Sequence, residues 1–207
     1  MKKIVSLILA VLLLCACAAC AKPQYGEDEI KAALETLIPA SATLNEIYFG
    51  EGLPLSVDED EYEAYYQMYD SDVSTLGYEP VAEDAAYRTE AELREATLAV
   101  FTEDYAQFLF ERAFSGLTAT YDDETTANAV YARYIETDGV LTKRVGSKNE
   151  AIPLGREYAI GEAVLVSQRN GCAVVDVPTS VDGTADAVVR LRLVATDGGW
   201  RLDSPTY

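Results

Sequence analysis

Apolar residues recur at helical intervals in the first half of the chain and at every second position in the last third. Ile30, Ala33, Leu34, Leu37 and Ile38 share one face at the 3.6-residue period, so a helix is expected there. Asp28 and Glu29 suit the positive N-terminal end of its dipole. Pro39 is expected to end or kink this helix. Ser41 can then cap a continuation that carries Leu44, Ile47 and Tyr48, which "GEGLP" closes. A second helical region opens at Thr89, with Glu92 three residues on as a capping box. Leu93, Ala96, Leu98 and Val100 form its apolar side. A third helix follows at once behind Thr102, with Tyr105, Leu109, Phe110 and Ala113 as its buried stripe. The pair fills residues 90 to 114.

Beyond that point the pattern changes to strands. "AVYARYIE" and "VLTKRV" flank "TDG" and predict a hairpin. "AVLVSQR", "CAVVDVPTSV", "AVVRLRLVAT" and "WRLDSPTY" follow, separated by "NG", "DGTAD" and "DGG". Asn170-Gly171 is the strongest turn, because both residues tolerate positive φ. Val189, Leu191, Leu193 and Ala195 make the cleaner apolar face of their strand, while Val188, Arg190, Arg192 and Val194 fall on the other. Helices first and strands afterwards give an α+β fold, with the N-terminal helices packed on a curved antiparallel β-meander. No repeat, low-complexity segment or linker divides residues 27 to 207, which read as a single domain.

One stretch is ambiguous. "DEDEYEAYYQMYDSD", residues 58 to 72, places Tyr62, Tyr65, Tyr66 and Tyr69 at i, i+3, i+4 and i+7, one helical face behind an acidic first turn. Asp70 and Asp72 would sit badly at the C-terminal end of that dipole. "YYQMY" is rich in β-formers, and "YEPV" offers a second extended run, so a hairpin is the preferred reading and the helix the alternative. As a strand, Tyr62 and Tyr66 point one way and Tyr65 and Tyr69 the other. The four tyrosines, with Asp58, Asp60 and Glu61, are the candidate ligand or partner surface.

The N-terminus carries an address. Two lysines precede an apolar run from Ile4 to Leu14, which is shorter than the about 20 residues of a permanent span. "CAAC" then resembles the lipobox of bacterial lipoproteins. The resemblance implies a signal peptide over residues 1 to 19, lipidation of Cys20 and a lipidated tether over residues 20 to 26. Cys17, with Leu14 three residues upstream, is the rival position. The implied location is the outer face of the cytoplasmic membrane. Cys172, in "CAVVDV", is the sole cysteine beyond Cys20 and is expected as a buried small hydrophobe.

Composition narrows the chemistry. The formal net charge is −19, and loss of Lys2 and Lys3 with the signal makes the chain more acidic still. Such a chain binds nucleic acid poorly and is repelled by anionic headgroups, so the lipid would be its membrane contact, with the domain held off the surface. With no histidine in the sequence, Ser-His-Asp triads, Cys-His pairs and most zinc sites lack a required part. "DEDE" and "DSD" lack the Gly-containing spacing of an EF-hand loop. No metal or cofactor is expected. Trp200, in the closing strand, is expected in the core, with Arg201 and Asp203 facing solvent.

The order of elements resembles the cystatin-like and nuclear transport factor 2-like α+β rolls. "GYEPVAEDAAYRTEAEL", "YARYIETDGVL" and "GGWRLDSPTY" are similar to uncharacterised surface lipoproteins of Gram-positive, mainly gut-dwelling, bacteria. A more distant resemblance is to IseA-type inhibitors of cell-wall DL-endopeptidases. These likenesses imply a pocket between sheet and helices. In the inhibitor case they imply an acidic loop entering the basic cleft of an envelope protein such as a cell-wall hydrolase; "SVDEDE" and "YDDE" are the candidate loops, and the likeness does not choose between them. The expected function is a lipid-anchored binding or regulatory domain without catalytic activity. The alternative is a small-ligand carrier or a carboxylate acid–base enzyme using the pocket of the roll.

Overall fold

The computed structural model describes residues 25–58, 60–62, 64, 77–120, 126–147, 152 and 154–207, with residues 117–120 and 126–130 described in their backbone alone. Helix α1 spans Glu27–Phe49 without a break, carrying Pro39 inside it. Ser41 does not cap a second helix; its hydroxyl donates to the Ile38 carbonyl, 2.8 Å away. α2 (Glu90–Val100) opens on the capping box of Thr89 and Glu92. α3 (Glu103–Phe110) opens on Thr102, whose hydroxyl accepts from the Tyr105 amide, and continues as a π-helical turn over Glu111–Ser115. No helix among the described residues is long and apolar enough to cross a membrane.

The strands form three antiparallel sheets rather than one meander. β1 (Tyr78–Pro80), β5 (Val140–Arg144) and β4 (Tyr134–Thr137) make the first, in the order β1-β5-β4. β1 thus pairs with β5, matching Glu79 to Lys143. Pro80 lies on an edge strand, where its missing N–H costs no ladder bond. The β4–β5 hairpin turns at Asp138-Gly139, with φ of 52° and 76°. β2 (Leu117–Thr120) and β3 (Thr126–Val130) form a separate hairpin that the hydrophobic pattern did not announce.

The largest sheet holds β10 (Gly199–Leu202), β9 (Thr184–Thr196), β8 (Cys172–Val181) and β6 (Glu157–Tyr158), with β7 (Val164–Arg169) also on β8. β7 ends its pairing at Asp176 and β6 begins at Thr179, so Pro178 falls in the gap where no neighbour needs its N–H. Asn170-Gly171 and Asp182-Gly183 make the expected tight turns, with positive φ at all four residues.

The core is one buried cluster running from Ile30 to Leu202. Ala173, Val175 and Val177 of β8 and Leu191 and Leu193 of β9 are buried, which confirms the apolar face read from alternation. Each fully buried leucine contributes about 1.5–3 kcal/mol. Trp200 is buried, its ring packed edge-on to Tyr25 at 4.7 Å. Three other expectations are corrected. Leu98 is exposed, and Thr97 takes the inward position, bonded to the Tyr48 hydroxyl at 2.7 Å. Cys172 is half-buried on the outward face of β8, because the inward register belongs to Ala173. Arg201 and Asp203 are half-buried: Arg201 donates to the Leu98 carbonyl, and Asp203 pairs with Arg192 and accepts from Thr102.

Candidate functional site

The acidic start of the tyrosine stretch is helical: residues 60–62 and 64 adopt helix, and Asp58 closes its first turn. The Asp58 side chain accepts from the Glu61 amide at 3.1 Å, and its carbonyl accepts from the Tyr62 amide at 3.0 Å. The hairpin reading is therefore overturned where the segment is described. A capping aspartate with Asp60 and Glu61 in the first turn favours helix at the N-terminal end of the dipole. Asp58, Asp60 and Glu61 are exposed and Tyr62 is half-buried. Tyr65, Tyr66 and Tyr69 lie outside the described residues, as do Cys20 and Cys17, so the stripe cannot be assembled as a site.

Side chains converge instead at the C-terminal end of α1. That helix has no basic residue in its last turn, and its terminal carbonyls are met from the β4–β5 hairpin. Arg133 Nε donates to Ile47 O at 3.0 Å, and its Nη2 donates to Gly50 O. The Tyr134 hydroxyl donates to Ile47 O at 2.9 Å while accepting from the Leu53 amide at 3.0 Å. Lys143 Nζ donates to Glu51 O at 2.7 Å. Arg133 is 6 % exposed and Lys143 2 %, so two cations are buried against the negative end of a helix dipole. This clasp fixes the hairpin to the helix.

Beside the clasp lies a cavity of about 330 Å³, walled by Tyr48 and Phe49 of α1, Arg112 and Ala113 of the π-turn, and Tyr131, Arg133, Arg144 and Ser147 around the hairpin. The π-turn matters because an i→i+5 turn rotates the following side chains away from their α-helical positions, and such turns occur often at functional sites. Arg112 sits 5.9 Å from the centre of the Phe49 ring, and Arg144 sits 4.4 Å from that of Tyr131. Three guanidinium groups thus border one cavity, and none of its described lining residues is acidic. Among the described residues Arg112 and Arg133 form no ion pair.

Two tyrosines, Tyr48 on its wall and Tyr78 on β1, hold their protons more tightly than a free phenol. Burial pushes the Tyr48 hydroxyl far above its ordinary value, with its bond to Thr97 acting in the opposite sense. Burial likewise raises Tyr78, against the nearby charge of Arg144. The cavity can therefore offer fixed positive charge and neutral hydroxyls, a combination that selects an anion. Among the described residues no group of three or more Cys, Asp or Glu side chains could hold a metal ion.

None of the three arginines was flagged by pattern. Arg112 belongs to a helix end, while Arg133 and Arg144 flank the β4–β5 hairpin, and only the tertiary fold joins them. The available signal was compositional: so few cations occur that their concentration at one helix end and one hairpin stands out. No protein-family model, curated protein or solved structure matches the chain.

Proposed function

We propose that the chain is an exported binding domain, lipid-anchored at Cys20 on the outer face of the cytoplasmic membrane, that holds a small anionic ligand and has no catalytic activity of its own. The carrying observation is that Arg112 and Arg133, neither in an ion pair among the described residues, line one cavity, which Arg144 also borders. Arginine forks match carboxylate and phosphate oxygens, and a partly enclosed site strengthens the contact. The anchor rests on the lipobox-like "CAAC", and the non-catalytic reading on the missing histidine. Helices over antiparallel sheets support a cystatin-like or nuclear transport factor 2-like roll as the frame.

Calorimetric titration with inorganic phosphate, citrate and a short glutamate peptide tests this reading. At least one probe is expected to bind saturably, at least tenfold more weakly in Arg112→Glu and more weakly as salt rises. Binding by none, or an unchanged affinity in Arg112→Glu, overturns it.

A second reading is favoured by the surface. Among the described residues the ion pairs are Arg94–Glu90, Arg156–Asp186, Arg190–Asp176 and Arg192–Asp203. Exposed acids such as Asp58, Asp60 and Glu61 then form a negative surface suited to a basic-cleft partner such as a cell-wall hydrolase. A low-salt pull-down from envelope extract that recovers no such protein removes this reading.

A further inference from the structure

The sheet of β6 to β10 buries one face against the helices, and its other face is exposed. Opposite residues of antiparallel strands share a face, so the pairings lay that outer face out in rows. Arg169, Cys172 and Val194 cross β7, β8 and β9 in one row, Ser167, Val174 and Arg192 in the next, and Val164, Asp176 and Arg190 in the third. Pro178 and Val188 follow. Val164 is 60 % exposed and Val188 61 %, above every other large apolar side chain among the described residues. Val166, at the bulge of β7, is exposed as well. Valines gathered in the open on one sheet mark an interaction surface, where scattered ones would not.

Charge on this face is nearly balanced, unlike that of the chain as a whole, whose formal charge is −19. Arg190 holds Asp176 through two hydrogen bonds, of 2.7 and 2.8 Å, and Arg192 holds Asp203 at 2.6 Å. The acid is the more buried partner in both pairs, so guanidinium groups and valines form the outermost layer. Arg169 is exposed and forms no ion pair among the described residues. The excess acid stands around the rim, at Asp104 of α3, Glu157 of β6 and the turn residues Asp182 and Asp197, and on exposed positions of α1 such as Glu29 and Glu35. Two such chains repel wherever their acidic surfaces meet, and least where these outer faces do. One unpaired arginine is too little to draw the domain onto anionic headgroups, each basic residue being worth about 1 kcal/mol there.

We propose that the outer face is a self-association surface, on which two copies pack sheet against sheet about a two-fold axis running along the strands. Such an axis sets the β7 edge of one copy, with Arg169, over the β10 side of the other, where Asp104 acts on Arg192. Edge-to-edge pairing is disfavoured, because the bulge between Leu165 and Ser167 disrupts the free edge of β7. Four strands about 4.8 Å apart and about eight residues long give a footprint of about 500 Å² per copy. A standard interface buries about 800 Å² on each partner, so the dimer is weak. Tyr25 meets the sheet through Gln168 and Trp200, at the end that carries the turns at Asn170-Gly171 and Asp197-Gly198. The two-fold axis keeps both such ends on one side, as two copies anchored in one membrane require. This last point rests on the lipid at Cys20 proposed above, and the others do not.

Sedimentation equilibrium of residues 21–207, which retain every described contact and lack the anchor, tests the proposal, with a reductant present to keep Cys172 from cross-linking copies. A reversible monomer–dimer equilibrium is expected at high micromolar to millimolar protein, tightening as salt screens the repulsion between acidic chains. Val188→Glu puts like charges into the interface and is expected to weaken the dimer at least about tenfold. Ala32→Glu adds the same charge at an exposed position of α1 and is expected to weaken it less than about twofold. Anion binding plays no part in this measurement, so its result is independent of the arginine cavity. A monomer at every concentration and salt, an unchanged dimer in Val188→Glu, or equal weakening by Ala32→Glu overturns the proposal.

Discussion

At Gly52 the backbone turns with φ of 83° directly under the clasp. A Cβ built there would stand 2.6 Å from Arg133 Nη2, 2.7 Å from the Tyr134 hydroxyl oxygen and 2.9 Å from Lys143 Cδ. Those three groups are held by the end of α1, so they cannot easily withdraw. Gly183, by contrast, has φ of 71° and nothing within 4 Å of an added Cβ. The two sites separate backbone strain from crowding. Gly183→Ala is expected to cost about 1–2 kcal/mol, the price of the left-handed conformation alone. Gly52→Ala should cost at least about 2 kcal/mol more, because the clasp must open. Urea unfolding midpoints of the two variants measure the difference, and equal losses would show that the clasp yields freely.

At the scale of elements, local chemistry decides where helices and turns begin. Thr89 accepts from the Glu92 amide at 3.2 Å, while the Glu92 carboxylate accepts from the Thr89 amide at 3.1 Å and the Arg88 amide at 2.7 Å. Those amide bonds hold the Glu92 carboxyl below the usual range. Thr89→Ala is expected to cost about 1 kcal/mol, with faster hydrogen exchange confined to the first turn of α2. Unchanged exchange at Glu92 and Leu93 would contradict the capping role. Such signals were legible in the sequence because each spans four residues or fewer, as Thr102, Asp138-Gly139 and Asn170-Gly171 also show. The division into three sheets was not. β1 joins β5 through partners more than sixty residues apart, and the Leu141 amide reaches the Arg88 carbonyl. The π-turn and the arginine cavity were hidden for the same reason: both depend on what packs across from a residue, not on its neighbours in the chain.

For the whole molecule, the tyrosines set the alkaline limit of stability. Burial raises Tyr48, Tyr78, Tyr105 and Tyr158 above the ordinary value of 10.0. Each keeps its proton in the fold after its unfolded counterpart has lost one. Their contribution is therefore complete below pH 10 and declines as pH rises beyond it, since the unfolded state releases more protons. A pH titration followed by tyrosinate absorbance and circular dichroism together is expected to show buried tyrosines ionising only as structure is lost. Full ionisation ahead of unfolding would contradict their burial.

The first described residue, Tyr25, is pinned at both ends: its amide donates to Gln168 Oε1 at 2.9 Å, its carbonyl accepts from Gln168 Nε2, and its ring lies on Trp200. Only four residues lie between it and Cys20, a span of five Cα–Cα steps. With the lipid on Cys20, that stretch reaches about 17 Å at full extension, roughly two Debye lengths at physiological salt. The domain would then be moored with its Tyr25–Trp200 edge toward the bilayer and its charge repelled outward, confined to a thin shell above the membrane. Within such a shell another molecule anchored in the same membrane is met at an effective concentration well above its bulk value. An intrinsic affinity too weak to survive dilution in free solution would be enough there.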